Sequence, residues 1–152
     1  MTDLHEVAGK EDDILLRGHI EDFDAMNPEQ AQMWMNLVQS ESQHFVFQPT
    51  SVEDVQDYAK RDKIRVFIVD DHILGTYSLE IDENRDVSTE LRYFVVDKSF
   101  RRRGIGRTLM QDAIDNGIGN VGVTTAIVEG SDAMLGLMAS FGFAEYSNRA
   151  ME

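Results

Sequence analysis

The sequence has no cysteine and only two prolines among its 152 residues. The absence of cysteine excludes disulfide bonds, thiol nucleophiles and cysteine-ligated zinc sites. Basic residues are also scarce, because 14 lysines and arginines stand against 28 aspartates and glutamates, for a formal net charge of −14. A charge this negative disfavours a nucleic-acid backbone or an anionic membrane as a partner of the general surface.

The sequence has no apolar run of membrane-spanning length, and residues 1–10 carry no basic and apolar leader, so we expect a cytoplasmic protein. The four histidines are scattered without the paired spacing of metal ligands, so we expect no metal site. Hydrophobic residues make up 42% of the chain, enough for a core. The length predicts one domain over residues 1–152, with a loose arm at 1–12.

Local patterns in the first third of the chain predict a strand and several helices. The apolar run at 14–16 fits a first strand, and the apolar spacing within 20–26 fits a helical segment. A second segment restarts at Asn27-Pro28, which provide a cap and a proline at the first helical position. Residues 51–54 (Ser-Val-Glu-Asp) resemble a capping box that opens another helix.

The rest of the chain alternates between strands and helices. Three β-branched and aromatic runs predict an antiparallel meander, at 64–69, 73–81 and 89–96. A helix opened by Gly104, a strand at 121–127, a helix over 134–141 and a short strand at 143–146 follow. The predicted order, β-α-α-β-β-β-α-β-α-β, describes an α/β fold with a mixed, mostly antiparallel sheet flanked by helices.

One motif carries a chemical mechanism. It combines four basic side chains with two glycines between a strand and a helix, and it consists of Arg101, Arg102, Arg103, Gly104, Ile105, Gly106 and Arg107. Glycines let backbone amides approach a ligand, and a helix N-terminus offers free N–H groups at the positive end of its dipole. This island of positive charge in an acidic chain predicts a polyphosphate site that suits a pyrophosphate.

Two other phosphate motifs fit less well. A Walker loop requires Lys-Ser or Lys-Thr after its last glycine, whereas Arg107-Thr108 follows here with a different glycine spacing. A dinucleotide fingerprint requires a third glycine where Leu109 stands, although Glu129 supplies the acidic residue. Because seven residues separate Val96 from Gly104, where that fingerprint has a tight turn, dinucleotide binding stays a weak alternative.

The spacing Arg101-x-x-Gly104-x-Gly106 resembles the [Q/R]-x-x-G-x-[G/A] signature of the GNAT superfamily of N-acetyltransferases. The resemblance extends over about residues 14–146, because the element order is similar to that of the family, and Gly142-Phe143 resembles the pair that precedes its sixth strand. It implies acetyl-CoA as the acetyl donor.

The resemblance also implies roles for individual residues. Amides of Arg103 to Arg107 would hold the pyrophosphate, and backbone groups of Phe94 and Val96 would pair with the pantetheine arm in the gap between the fourth and fifth strands. The amide of Val95 or Val96 would serve as the oxyanion donor. A ligand that pairs like a strand requires a free strand edge, which agrees with this arrangement.

Glu90 is the candidate general base, since histone-type relatives carry a glutamate near the start of the fourth strand. Its alternative role is that of a solvent-facing strand residue beside Arg92. Many relatives protonate the leaving thiolate with a tyrosine, but Met138 stands at that position and cannot donate a proton. Water or another group, such as Tyr93 or Tyr146, would then protonate the thiolate. Alternatively, the protein is an acyl-CoA-binding module without catalytic activity.

The acceptor is expected to be a cationic amine, because an acidic surface steers cations toward the protein. Family helices line the acceptor pocket, so Trp34, Phe45 or Phe47 could contact the amine, although core packing is the expected role of Trp34. The acidic residues Glu21, Asp22 and Asp24 would either favour a helix N-terminus or recognise the amine. The chain is expected to be a monomer or a homodimer, without nucleic-acid or membrane partners.

Overall fold

A computed structural model describes residues 14–40, 49–80, 88–116, 120–122 and 132–142. The elements are α1 (Ile14–Arg17), β1 (His19–Asp22), α2 (Pro28–Gln39), α3 (Val52–Arg61), β2 (Asp62–Val69), β3 (His72–Glu80), β4 (Ser88–Val96), a 3₁₀ turn (Lys98–Phe100), α4 (Ile105–Asn116), β5 (Asn120–Gly122) and α5 (Asp132–Ser140). The five strands form one sheet in the order β1-β2-β3-β4-β5. Strands β1 to β4 are antiparallel, and β5 runs parallel to β4. The mixed, mostly antiparallel sheet predicted from the sequence is therefore confirmed.

The meander of β2, β3 and β4 is formed by the three runs that predict it. Asp70 and Asp71 connect β2 to β3 with φ values of +48° and +66°. Two central residues with positive φ are typical of a tight hairpin turn that matches the twist of its strands, and aspartate tolerates that conformation.

The prediction for residues 14–26 is wrong. Residues 14–16 belong to helix α1, and the first strand is His19–Asp22, which overlaps the segment predicted as helical at 20–26. His19 to Asp22 pair with Ile68 to Arg65 of β2, a contact between distant parts of the chain that local apolar spacing does not encode. Glu21 and Asp22 consequently lie on an edge strand of the described sheet, and they do not begin a helix.

Helices α2 and α3 begin at their predicted caps. The Asn27 side chain accepts hydrogen bonds from the amides of Glu29 (3.0 Å) and Gln30 (3.3 Å), and Pro28 is the first helical residue. The Ser51 hydroxyl accepts from the Asp54 amide at 3.1 Å. The reciprocal bond of the box shifts by one residue, because the Asp54 carboxylate accepts from the Thr50 amide at 3.0 Å, which lowers the pKa of Asp54.

Apolar clusters cover both faces of the sheet. On one face, α4 packs against β3 and β4 through buried Ile105, Leu109, Met110 and Ala113. On the other face, α2 and α3 pack against the sheet around Trp34, which is fully buried and donates from Nε1 to Thr76 Oγ1 at 2.9 Å. The core role expected for Trp34 is confirmed. The predicted arm at 1–12, the remainder of the fifth strand and the strand at 143–146 lie outside the described residues.

Candidate functional site

Strand β4 contains a bulge halfway along its length. Val95 pairs with Thr76 and Arg92 pairs with Ser78, so the single residue Tyr77 of β3 faces both Tyr93 and Phe94. Tyr93 has a φ of +44°, and bulges of this kind bend a strand and redirect its side chains, often beside active sites.

The bulge is supported by aromatic contacts on the α2 and α3 face. Tyr93 packs edge-on against Trp34 and Tyr58, with ring centroids 5.5 and 5.2 Å apart. Its hydroxyl lies 2.8 Å from the Tyr58 hydroxyl, to which it donates. The phenol of Tyr93 is thus buried between the sheet and these helices.

The two ends of β4 have different neighbours. Ser88, Thr89 and Glu90 pair with Asn120, Val121 and Gly122 of β5, and Glu90 also lies opposite Glu80 of β3. At the other end, the Asp97 amide donates to the Leu74 carbonyl of β3 at 2.8 Å. Peptide groups alternate in direction along an antiparallel ladder, so the N–H and carbonyl of Val96 point to the edge of β4 opposite β3.

A short, tightly anchored loop connects β4 to α4. The Asp97 side chain caps the 3₁₀ turn by accepting from the Ser99 amide at 2.9 Å, and Phe100 is buried in the core. Arg101 Nε donates to the Val96 carbonyl at 3.2 Å, which ties the first residue of the motif to the end of β4. Arg102 and Gly104 then adopt φ values of +65° and +90° and turn the chain into the helix.

The residue before helix α4 is Gly104, which has no side chain of its own to cap the helix. The Gly104 carbonyl accepts from the Thr108 amide (3.0 Å) and hydroxyl (2.9 Å). The amides of Ile105, Gly106 and Arg107 precede that first bond, and a glycine offers them no side-chain acceptor, in contrast to Asn27 of α2 and Ser51 of α3. These three amides sit at the positive end of the helix dipole and are suited to an anion.

Gly106, in the first turn of α4, lies close to side chains of β4 and α5. A Cβ at this position would lie 3.4 Å from Leu137 Cδ2, 3.8 Å from Val96 Cγ2 and 4.0 Å from Phe94 Cε1. The structure therefore brings Phe94 and Val96 together with the glycines of the motif. Val95 points the other way, since its side chain is buried in the cluster on the α2 and α3 face.

The arginines surround the start of α4. Arg101, Arg102 and Arg107 are exposed, and Arg103 is partly buried with its guanidinium 5.7 Å from the centre of the Phe100 ring. The Arg107 guanidinium lies 5.8 Å from the centre of the Phe141 ring. Four arginines therefore lie within residues 101–107, and the guanidinium groups of two of them rest near aromatic rings.

The other candidates divide between structural roles and undescribed positions. Met138 is partly buried and packs against the core cluster, as expected. Asp22 forms an ion pair with Arg65 at 2.9 Å, and Glu21 lies 3.0 Å from His19. Tyr146, Phe45 and Phe47 lie outside the described residues. In the described part of the chain, no group of three histidine or acidic side chains could hold a metal ion.

A polar network between α4 and the sheet was not predicted from the sequence. Asp112 of α4 accepts two hydrogen bonds from Arg65 of β2, at 3.1 and 3.2 Å, and a further short one from the Tyr77 hydroxyl of β3. Asn116 donates to the Asp112 carbonyl at 2.7 Å and accepts from Lys63 at 3.1 Å. The detectable signal was that positions 112 and 116 fall on the apolar stripe of the helix that carries Ile105 and Leu109.

The network shifts the pKa values of Asp112, Arg65 and Tyr77. Burial alone would raise the pKa of Asp112, but the hydrogen bonds from Arg65 and Tyr77 outweigh it, so the pKa is lowered. Hydrogen bonding to Asp112 raises the pKa of Arg65, and burial together with the same carboxylate raises the pKa of Tyr77. The ion pair of Arg65 and Asp112 is therefore charged on both sides, and the Tyr77 hydroxyl is a neutral donor.

None of the helices in the described ranges is long and apolar enough to cross a membrane. Residues 31–143 match the model of the acetyltransferase (GNAT) family. Among curated proteins, no sequence match was found.

Several solved acetyltransferases share the fold. An aminoglycoside acetyltransferase from an uncultured soil metagenomic sample, in complex with sisomicin, is 18% identical with a TM-score of 0.69, over 88% of this chain and 93% of that one. The ribosomal-protein-S18-alanine N-acetyltransferase from Escherichia coli is 16% identical with a TM-score of 0.65, over 86% and 79%. An aminoglycoside 6'-N-acetyltransferase complexed with coenzyme A is 20% identical with a TM-score of 0.55, over 64% and 53%.

Proposed function

This chain belongs to the acetyltransferase (GNAT) family, and on that premise we propose that it transfers an acetyl group from acetyl-CoA to a primary amine of a small molecule or peptide, directly within a ternary complex. The observation that carries the proposal is the start of α4. There, Gly104 and Gly106 expose amides beside Val96 and Phe94 of β4, inside the island of arginines.

The pyrophosphate of acetyl-CoA would bind at the first turn of α4. The amides of Ile105, Gly106 and Arg107 supply donors, and the neighbouring arginines supply charge. Gly104 fits this role because its φ of +90° disfavours a side chain, and Gly106 leaves room only for a small one, since a Cβ there would already be in van der Waals contact with Leu137. Arg101 has a second task, since its bond to the Val96 carbonyl holds the loop against β4.

The pantetheine arm would extend along β4. Val96 directs its N–H to the edge opposite β3, which supports Val96 as a pairing partner of the arm and as the oxyanion donor in preference to Val95, whose ladder partner is Thr76. The aromatic side chain of Phe94 lies near Gly106 on the same side of the sheet as α4.

Glu90 is the proposed general base. It removes a proton from the acceptor ammonium, and the neutral nitrogen attacks the thioester carbonyl carbon. The new C–N bond forms as the C–S bond breaks, and the thiolate of coenzyme A leaves. The nitrogen loses its second proton to water, Glu90 releases its proton to solvent, and water protonates the thiolate. Water takes this part in the proposal because Met138 has no proton to give.

The acceptor is proposed to be cationic. The net charge of −14 concentrates cations near the protein, and one structural neighbour was solved with the aminoglycoside sisomicin. Aminoglycosides, polyamines and amino-terminal peptides all meet this description.

Release of coenzyme A thiol tests the proposal. The purified chain is mixed with acetyl-CoA and a panel of cationic, neutral and anionic amines, and free thiol is measured against a control without amine. Thiol release that depends on a cationic amine is the expected result. Acetyl-CoA binding without release by any amine would favour the second candidate, a non-catalytic acyl-CoA-binding module, which the replacement of the usual tyrosine by Met138 suggests.

A further inference from the structure

The first turn of α4 can aim its amides at a ligand only if the helix is fixed on the sheet. Its apolar contacts are close: a Cβ on Gly75 of β3 would lie 2.8 Å from Leu109 Cδ1 and 3.1 Å from Ile105 Cγ2. Apolar packing sets the distance between helix and sheet, but it has no direction and constrains sliding and rotation weakly. Directional contacts are required for those two movements.

Asp112 provides these contacts. Its carboxylate accepts both arms of the Arg65 guanidinium and the Tyr77 hydroxyl, so β2 and β3 hold one residue of α4 from two directions. Arg65 is held in turn by Asp22 of β1 at 2.9 Å. The side chains of Arg65 and Asp112 are 19% and 18% exposed, and Tyr77 is fully buried, so water competes little for these bonds.

We propose that Asp112 is a positioning residue, which fixes the axial position and rotation of α4 through Arg65 and Tyr77 and so aims the amides of Ile105 to Arg107 at the pyrophosphate of acetyl-CoA. The inference rests on the proposed function. Asp112 lies five to seven residues after these amides, or about 8–10 Å along the helix axis, and a helix transmits a shift over that length as a rigid rod.

The charge of Asp112 separates this role from simple electrostatics. Replacing Asp112 by asparagine removes a negative charge on the helix that would hold a polyanion, which by field alone strengthens acetyl-CoA binding. Loss of the alignment of α4 would instead weaken acetyl-CoA binding. The two effects have opposite signs, so weaker binding by Asp112→Asn shows that Asp112 acts by positioning the helix.

The test compares acetyl-CoA dissociation constants by calorimetry, with Tm measured on the same samples. The variants are Asp112→Asn, Tyr77→Phe, which removes one hydroxyl, and Arg65→Lys, which keeps the charge but loses the two-armed geometry. Asp115→Asn is the matched charge control, because Asp115 is exposed on the same helix and accepts from Gln111. Val55→Ala is the stability control, because buried Val55 lies on α3, on the other face of the sheet.

Asp112→Asn is expected to weaken acetyl-CoA binding about tenfold or more, since small displacements of a binding group are costly, with the KM for the acceptor unchanged. Tyr77→Phe and Arg65→Lys should weaken it to a smaller extent. Asp115→Asn should bind acetyl-CoA at least as tightly as wild type, and Val55→Ala should bind like wild type. Wild-type affinity in Asp112→Asn, with a lowered Tm like that of Val55→Ala, would overturn the positioning role alone. A wild-type chain that binds no acetyl-CoA would overturn the proposed function and this inference with it.

Discussion

Leu15 occupies the space beside Gly104 where a side chain would be. A Cβ at position 104 would come within 2.8 Å of Leu15 Cδ1, and Gly104 has a φ of +90°. Helix α1 therefore packs on the loop that opens α4. The positive φ favours glycine at 104, and any larger residue would also displace the Leu15 side chain.

Gly104→Ala should lower the free energy of unfolding by about 1–2 kcal/mol, because an L-residue is strained at positive φ. Adding Leu15→Ala relieves the contact but not the strain, so recovery should be partial. Chemical denaturation measures both. The control is Gly136→Ala, in α5, where a Cβ meets nothing within 4 Å and should stabilise the helix by about 0.5–1 kcal/mol. Equal stability of Gly104→Ala and wild type would contradict the strain.

Gly75→Ala tests how closely α4 lies on the sheet. The new Cβ would lie 2.8 Å from Leu109 Cδ1 and 3.3 Å from the Val95 carbonyl oxygen, so the Leu109 side chain or the helix that carries it must shift. We expect a loss of about 1–3 kcal/mol, as for overpacked cores. Combining it with Leu109→Ala should recover part of the loss, and purely additive losses in denaturant unfolding would show that the two residues do not touch.

Tyr93→Phe and Tyr58→Phe test the support of the β4 bulge. Each removes one hydroxyl of the pair that is 2.8 Å apart, and each should cost about 0.5–1.5 kcal/mol. The double variant should cost less than the sum, because the shared bond is lost once. Strict additivity of the two changes in a double-mutant cycle would rule out the hydrogen bond.

The lowered pKa of Asp112 predicts how the stability of the folded chain changes as the pH falls. In the folded chain the carboxylate stays ionised below the unfolded pKa of about 3.9, so its contribution is complete above that pH and is lost as pH falls through the folded value. Wild type should therefore lose Tm more steeply than Asp112→Asn on acidification below about pH 4. If the Tm values of wild type and Asp112→Asn fell in parallel from pH 7 into the acid range, the lowered pKa of Asp112 would be contradicted.

Glu90→Gln should slow acetyl transfer by about a hundredfold or more, the usual contribution of a general base. Acetyl-CoA affinity should stay near that of wild type, because the proposed role lies in proton transfer. The pH profile of kcat/KM is the decisive readout. An unchanged rate and profile across the pH range would remove Glu90 as the base.

Features set by neighbouring residues could be predicted from the sequence. Asn27 and Ser51 mark helix starts through bonds to amides two or three residues away, and Pro28 fits the first helical position. The motif at Arg101–Arg107 combines glycines, charge and a helix start within seven residues. These features depend on contacts between residues that are close in the sequence, so the sequence alone predicts them.

Features that depend on distant pairing could not be predicted. Strand β1 exists because His19 to Asp22 pair with β2, more than forty residues later, although their own spacing also suits a helix. The bonds of Asp112 reach 47 residues back to Arg65 and 35 back to Tyr77. Only the polar residue on an apolar helix stripe signalled them, without naming its partners.

The most direct test of the central claim is calorimetric titration of the wild-type chain with acetyl-CoA and, in parallel, with NAD. We predict one acetyl-CoA site per chain, no binding of NAD, and loss of acetyl-CoA binding when Gly104 is replaced by leucine. No heat of binding with acetyl-CoA at millimolar concentration, or binding of NAD alone, would contradict the claim that the start of α4 holds the pyrophosphate of an acetyl donor.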